Sequence, residues 1–439
     1  MKPKLVLIGN GMAGAKLLEE LMATCPDKYA ITVFGNEPYG NYNRIMLSPL
    51  LSGEKTLKEI MTLDRPWYKE HGIALHVGTD KAITGIDRAR KCVTAENGLQ
   101  AEYDRLIIAT GSKPFILPIE GKQLNGVMSF RDISDVEKML SAANQYKKAV
   151  VIGAGLLGLE AAMGLCGRGM DVTVVHSNVV PLNRQLDIEA GELLQQELQA
   201  RGLNFKMNAQ TQHIEGDDNG HVSRIHFKDG SSLQTDIVIM AIGIRPNMQL
   251  AQDAGLHCEK GIVVSDTLQT YDPTIYALGE CIQHRGGTFG LVAPLYDQAR
   301  VLTNHLSEHG VAQYQTLPSA TKLKVTGINL FSVGDIHGNK DADDQCEFLY
   351  YRDKQQGIYK KLILKNNYLV GAVLYGETQE GAFYNELLDN KTDLTHIRPY
   401  LMFGRALCEE KGAEEKSAEE KAAENKRAAT QPQEMSTAK

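Results

Sequence analysis

Gly9, Gly11 and Gly14 follow the apolar run Leu5 to Ile8 in a GxGxxG spacing, and the spacing returns at Gly153, Gly155 and Gly158 after Ala149 to Ile152. Such a turn can hold a pyrophosphate. The first glycine makes a tight turn, the second lets phosphate reach the backbone, and the third lets the next helix pack closely with its N-terminal amides toward the anion. Met12 and Ala13 open the first of those helices and belong to the same binding turn. One such turn is a weak signal. Two, 144 residues apart from Gly9 to Gly153, imply two dinucleotides or the two halves of a two-cofactor enzyme.

Other side chains are placed to complete those sites. Glu37 stands roughly 20 residues beyond the first glycines, where an acid reads a ribose 2′-hydroxyl. The corresponding place in the second unit is His176, after the strand Val172 to Val175. It is neither the acid nor the arginine such a position usually carries, and a simple turn histidine explains it equally well. Arg44, in the polar stretch Glu37 to Gly53, either meets a diphosphate or lies on an ordinary surface loop.

The elements that must position these groups follow from the pattern. After the first strand, a helix is expected over residues 12 to 24 and a second strand over Ala30 to Phe34. Residues 54 to 71 read as helical, and Ala74 to Val77, Ala82 to Ile86 and Cys92 to Thr94 as strands of a small antiparallel excursion. Leu106 to Ala109 is a buried strand ending abruptly at Thr110 and Gly111, with Pro114 and Pro118 marking a linker. The second unit repeats strand, helix to about Gly169, and strand. Val238 to Gly243 repeats the strand-into-glycine ending, Arg245-Pro246-Asn247 turns the chain, and Thr274 to Cys281 ends at Gly279-Glu280 before a helix from about Pro294 to Glu308.

From Thr321 the texture becomes β-rich, with strands at Lys322 to Val325, Leu330 to Val333, Glu347 to Arg352, Tyr359 to Leu364 and Tyr368 to Leu374. Beyond Cys408 the composition collapses to Glu, Lys, Ala and Gln, which favours a solvated helix or disorder over a folded module.

The whole chain sets bounds on this reading. Its 439 residues suit two or three domains. A net charge of −7, with no basic block before the tail, argues against nucleic acid or an anionic membrane as partner. The seven cysteines are scattered without a CxxC or metal-type cluster, as in a reducing cytosol, and no metal ligand set is expected. The chain opens on a core strand, and no apolar run approaches the ~18 to 20 residues of a membrane span, so a cytoplasmic protein is expected.

Five ordered strings, GNGMAG at 9 to 14, ATG at 109 to 111, GAGLLGLE at 153 to 160, AIGIRPN at 241 to 247 and ALGEC at 277 to 281, resemble the FAD-dependent pyridine-nucleotide disulfide oxidoreductase superfamily. The resemblance covers roughly residues 3 to 310. It implies an α/β fold with two Rossmann-like domains, the FAD domain split by the NAD insertion, and a small β-rich C-terminal domain. The expected division is FAD-binding residues 1–118 and 247–318, NAD(P)H-binding residues 119–246, a small α+β domain at 319–407 and a charged, disordered tail at 408–439.

By the same resemblance Gly9, Gly11 and Gly14 hold the FAD pyrophosphate and Glu37 its adenosine ribose. Thr110 and Gly111 close over the flavin side, and Gly279 and Glu280 match the pair at the ribityl phosphate, where family members usually carry Asp. Gly153, Gly155 and Gly158 hold the nicotinamide nucleotide, and Gly243 lies in the repeated strand ending. Glu160 is the side chain expected nearest the nicotinamide, its alternative being a capping or solvated acid. His176, with no Arg before Arg184, favours NADH over NADPH.

Between Cys25 and Cys92 there is no cysteine, which removes the thiol relay of the disulfide reductases and leaves direct electron transfer from flavin to an external acceptor. YNRIMLSPLLSG at 42 to 53, GECIQHRGGTFGLVAPLYDQA at 279 to 299 and TKLKVTGINLFSVGD at 321 to 335 look like the flavin module of NAD(P)H-dependent, sirohaem-containing nitrite reductases. Rubredoxin and ferredoxin reductases share the scaffold but typically carry Lys after the loop's LS, where this chain has Pro49. The resemblance implies an electron-input subunit, a homodimer being open to it, that serves a separate sirohaem or iron–sulfur protein. The alternatives are a rubredoxin or ferredoxin reductase serving a small iron–sulfur carrier, and an NADH-sensing flavin scaffold.

Overall fold

The computed structural model describes residues 1–316, 321–325, 327–338 and 346–429. Two compact units divide it, Met1–Val179 with Leu198–Leu317, and Val180–Glu197 with Pro318–Lys439.

In the first unit the strand Lys4–Ile8 buries Leu5, Val6, Leu7 and Ile8 together, the mark of a parallel strand covered on both faces. It pairs in parallel with Ala30–Gly35 on one side and Arg105–Ile108 on the other. The full order is Ile275–Ala277, Arg105–Ile108, Lys4–Ile8, Ala30–Gly35, Ala74–Val77. The chain therefore reverses direction across the sheet between Lys4–Ile8 and Arg105–Ile108, and a crevice opens beyond their carboxyl ends. The helix Met12–Thr24 starts at Gly11 and buries Ala13, Gly14, Leu17, Leu18 and Leu21, a stripe at helical spacing.

A second sheet repeats this plan: Val127–Ser129, Ile237–Met240, Lys148–Ile152, Asp171–Val175, Asn204–Lys206, all parallel. Its reversal lies between Lys148–Ile152 and Ile237–Met240, and the helix Leu156–Gly167 follows the second glycine turn.

Two local expectations change. Ala74–Val77 is not part of the antiparallel excursion. It pairs in parallel with Ala30–Gly35, Thr32 opposite Ala74, and its place in the excursion is taken by Gln100–Glu102, beside Ile83–Asp87 and Cys92–Ala95. Residues 54 to 71 are also not one helix. Thr56 and Glu59 cap Leu57–Ile60 reciprocally, Met61–Leu63 is extended, and Asp64 restarts a helix at Arg65–Glu70 by accepting from the Trp67 amide at 3.1 Å. Pro66, near the start of that helix, cannot continue a preceding one.

The second unit is a five-stranded antiparallel sheet in the order Thr321–Val325, Ile328–Gly334, Tyr368–Tyr375, Ile358–Lys365, Glu347–Asp353. Phe331, Leu362, Leu374, Phe383, Tyr384 and Leu387 form its core with the helix Gly381–Asp389. Segment Val180–Glu197, which the chain supplies from within the second Rossmann unit, belongs here as well. Asp187 caps the helix Ile188–Ala200 at the Ala190 amide, accepts from the Tyr359 hydroxyl at 2.7 Å and pairs with buried Lys361 at 3.2 Å. Arg405–Ala429 forms a helix in which Cys408 is buried; residues 430–439 lie outside the described residues.

Candidate functional site

The glycine turns owe their shape to close backbone approach. Gly9 has φ +112°, and a Cβ there would stand 2.1 Å from the Ala109 carbonyl oxygen; one on Gly14 would stand 2.4 Å from the Gly9 oxygen. Gly153 has φ +111° with the Ala241 oxygen 2.3 Å from its Cβ position, and Gly158 meets the Gly153 oxygen at 1.9 Å. No L residue with a side chain fits at these four positions. Gly11 and Gly155 differ: a Cβ there meets nothing within 4 Å. Each caps its helix in an extended conformation and faces open space.

The strand ends join the two crevices. Ser112–Pro114 pairs antiparallel with Ile244–Pro246, Thr110 donates from its hydroxyl to the Asn247 carbonyl at 2.6 Å, and the Asn247 amide donates to Gly111 at 2.8 Å. The Phe115 amide donates to Gly243 at 2.9 Å, and the Arg245 guanidinium lies 4.1 Å above the Phe115 ring. The two similar endings, ATG and AIGIRPN, thus form one ladder.

Gly279, with φ +95°, approaches the first turn: its Cβ position is 3.1 Å from that of Ala13, and its amide donates to Gln298 Oε1 at 2.7 Å. Met12 and Ala13 open the first helix beside it. A chain of polar groups then links the remaining first-unit candidates. Glu37 accepts from the Tyr42 hydroxyl at 2.6 Å and from Arg44; Arg44 also donates to the Arg131 carbonyl at 2.9 Å; the Arg131 guanidinium pairs with Glu280; and Glu280 accepts from Ser112 at 2.8 Å. Arg44 is therefore held by Glu37 and the Arg131 carbonyl rather than free on a loop. Cys281, wholly buried, donates to the Leu278 and Ile108 carbonyls, and burial pushes its thiol up to about 11. It is packing, not a reactive group.

Glu160, partly buried in the helix Leu156–Gly167, accepts from Ser48 Oγ at 2.5 Å. Burial pushes its carboxyl above the usual range, and the Ser48 hydroxyl opposes that shift. His176 ends the strand Asp171–Val175, and its Nδ1 accepts from the Ala154 amide at 3.4 Å, so it sits on the second glycine turn. Gly243 keeps φ +121° with nothing within 4 Å of a Cβ position.

These residues fit dinucleotides. The space beside Gly11 and Gly155 is what a pyrophosphate needs to reach the amides of each helix start. Asn10, between Gly9 and Gly11, keeps its Nδ2 buried without a partner, while its Oδ1 accepts from Tyr68 at 2.7 Å. All seven cysteines are free, and no group of three or more His, Cys, Asp or Glu among the described residues could hold a metal ion. No helix among them is long and apolar enough to cross a membrane.

Ser48, Ser112, Arg131 and Asn247 were not legible as site residues. Arg131 precedes Asp132, which caps the helix Ile133–Gln145, and nothing in that local pattern points to Glu280, 149 residues on. The repeated strand ending was the one available signal for Asn247 and Ser112.

Residues 3–314 match the family Pyridine nucleotide-disulphide oxidoreductase, and residues 318–392 match the Rubredoxin NAD+ reductase C-terminal domain. The chain is 46% identical over 394 residues to a Nitrite reductase [NAD(P)H] of Bacillus subtilis, covering 90% of this chain and 48% of that protein. It is 43% identical over 379 residues to an Assimilatory nitrate reductase electron transfer subunit of the same organism, covering 86% and 48%. The chain thus spans about half the length of these relatives. The solved NADH:rubredoxin oxidoreductase of Clostridium acetobutylicum superposes with a TM-score of 0.75 at 25% identity, over 90% of this chain and 97% of that one. The chain belongs to the pyridine nucleotide-disulphide oxidoreductase family, as an NAD(P)H-dependent FAD oxidoreductase.

Proposed function

We propose that this chain is the electron-input component of an assimilatory-type nitrite reductase system, oxidising NAD(P)H and passing electrons to a metal centre on a separate sirohaem or iron–sulfur protein. The observation that carries this reading is the Ser112–Pro114 ladder on Ile244–Pro246, which joins two equivalent nucleotide crevices directly. The 46% identity to a nitrite reductase, extending past the Rossmann units, supports the acceptor class. In this reading residues 1–118 and 247–318 bind FAD, 119–246 bind NAD(P)H, and 319–407 form the small domain. The protein works in the cytoplasm, with a homodimer compatible with this role.

Bound FAD would supply hydride acceptance from NAD(P)H and one-electron release to the acceptor. The chain's residues do the positioning. Gly9, Gly11, Met12, Ala13 and Gly14 hold the FAD pyrophosphate on backbone amides, and Gly153, Gly155 and Gly158 do so for the nicotinamide nucleotide. Glu37, steadied by Tyr42 and Arg44, reads the adenosine ribose; Thr110, Gly111, Gly279 and Glu280 line the flavin side; His176 meets the second ribose, and Gly243 leaves room beside the nicotinamide. Glu160, hydrogen-bonded by Ser48, lies nearest the nicotinamide, where the two nucleotides meet. Cys281 stays inert.

The match of residues 318–392 to a rubredoxin reductase C-terminal domain favours rubredoxin reduction as the second reading. Anaerobic stopped-flow separates the two. The FAD-loaded protein is reduced by NADH and by NADPH, then mixed with a sirohaem nitrite reductase protein, a rubredoxin or a ferredoxin. Rapid bleaching by NADH and reoxidation by the sirohaem protein alone is the expected result. Reoxidation by rubredoxin or ferredoxin alone moves the assignment to the second reading, and no bleaching by either nucleotide removes both.

A further inference from the structure

The helix Leu156–Gly167 and the short helix Leu47–Ser52 meet along a three-point clasp. Glu160, Gly164 and Arg168 are spaced i, i+4, i+8 and so share one face. Glu160 takes the hydrogen bond from Ser48 at 2.5 Å. Gly164 lies so close that a Cβ would stand 2.8 Å from the Leu51 side chain. Arg168 donates from Nε to the Leu51 carbonyl at 2.9 Å, closing the open end of the short helix, and its guanidinium lies against Gly53 at φ +88°.

The helix that follows the second glycine turn thereby grips the loop that follows Arg44. Among the three contacts, only the first involves a carboxyl group.

We infer that Ser48 is the positioning residue for Glu160: clasped from behind, its hydroxyl fixes the carboxyl between the two nucleotide sites and serves it in either protonation state. The inference rests on the proposed electron-input role for its functional meaning. A hydroxyl differs from a cationic partner in one decisive respect. It donates to a carboxylate and accepts from a carboxylic acid, so the pair stays hydrogen-bonded whether or not Glu160 carries the proton, with the stronger bond to the charged form. A lysine only donates, and would hold the acid ionised.

The short helix supplies no ionisable side chain, and Pro49 follows Ser48 directly. Other elements packed on the Leu156–Gly167 helix are the strands Lys148–Ile152, Asp171–Val175 and Ile237–Met240, whose charged residues Lys148 and Asp171 are exposed at the strand starts. The helix Ile133–Gln145 adds Asp135, held by Ser129 and the Arg131 amide, Glu137, which accepts from Tyr39, and Lys138. Burial and Ser48 are the causes that act on Glu160 itself.

The test follows the proton at Glu160 in the full-length, FAD-loaded protein by infrared titration of the protonated-carboxyl band, assigned as the band that Glu160→Gln removes. Ser48→Ala leaves burial unopposed. The band's midpoint then rises by about one pH unit, the worth of one hydrogen bond to a charged group. Ser48→Thr restores the midpoint. An unchanged midpoint in Ser48→Ala, or no band that Glu160→Gln removes, overturns the assignment. A midpoint shift in a protein that neither nucleotide reduces would sustain the Ser48–Glu160 pair while removing the electron-input reading.

Discussion

The two glycine turns of this chain are nearly superimposable in their constraints and unlike in what surrounds them. Gly9 and Gly153 share φ values of +112° and +111°, each pressed against a carbonyl at the end of the neighbouring strand, and Gly14 and Gly158 press on Gly9 and Gly153, the first glycine of each turn. Beyond the second strand the likeness stops. The first unit places Glu37 among Tyr42 and Arg44, while the second places His176 on the Ala154 amide. In dinucleotide-binding folds pyrophosphate is held by backbone, whose sterics admit one solution, and ribose is read by side chains, which are free to differ.

The largest effect comes from breaking each turn in the same way. Gly9→Ala and Gly153→Ala force a left-handed φ that costs about 1 to 2 kcal/mol and add a Cβ on top of a carbonyl oxygen. If the turns serve different nucleotides, Gly9→Ala purifies without yellow colour, while Gly153→Ala keeps its flavin and loses NADH reduction by at least a hundredfold. The flavin-to-protein absorbance ratio and stopped-flow bleaching read the two losses separately. Equal loss of flavin in both variants would break the division of labour.

A smaller pair of changes sharpens it. At Gly11 and Gly155 the backbone is extended and a Cβ meets nothing within 4 Å, so alanine leaves stability within about 0.5 kcal/mol. It does fill space that the pyrophosphate must cross to reach the amides. Gly11→Ala is expected to weaken FAD, and Gly155→Ala to raise the NADH KM, each by about tenfold, with unchanged thermal unfolding of the apoprotein. A drop in apoprotein Tm would mean that these glycines serve the fold rather than the ligand.

This contrast also explains what the sequence made legible. Glycine spacing and apolar runs are local, and they located both turns, the helix Met12–Thr24 and the strand endings at Gly111 and Gly243. Pairing over long distance is not local. Ala74–Val77 has the same composition whether it edges a parallel sheet or turns back in a hairpin, and the partner 42 residues before it decides. Residues 54 to 71 were misread because capping at Thr56 and Asp64 divides an apparently continuous helical pattern. Ser48 is an ordinary serine until the Leu156–Gly167 helix is laid against it, and Arg131 an ordinary arginine until Glu280 arrives.

The smallest effect tests the side-chain half of the comparison. A carboxylate at the end of the second strand would accept from both ribose hydroxyls and repel a 2′-phosphate, whereas the imidazole of His176 offers a weaker preference of either kind. His176→Asp is therefore expected to raise the ratio of kcat/KM for NADH over NADPH by about tenfold, or ~1.4 kcal/mol, with the flavin spectrum unchanged. The matching change in the first unit, Glu37→Gln, removes the charge that holds Arg44 and lowers FAD affinity without touching the coenzyme ratio. If His176→Asp leaves the ratio where it was, the histidine braces the Ala154 amide and reads no ribose. The two units would then differ in kind, with a side chain reading the ribose in the first and backbone alone defining the site in the second.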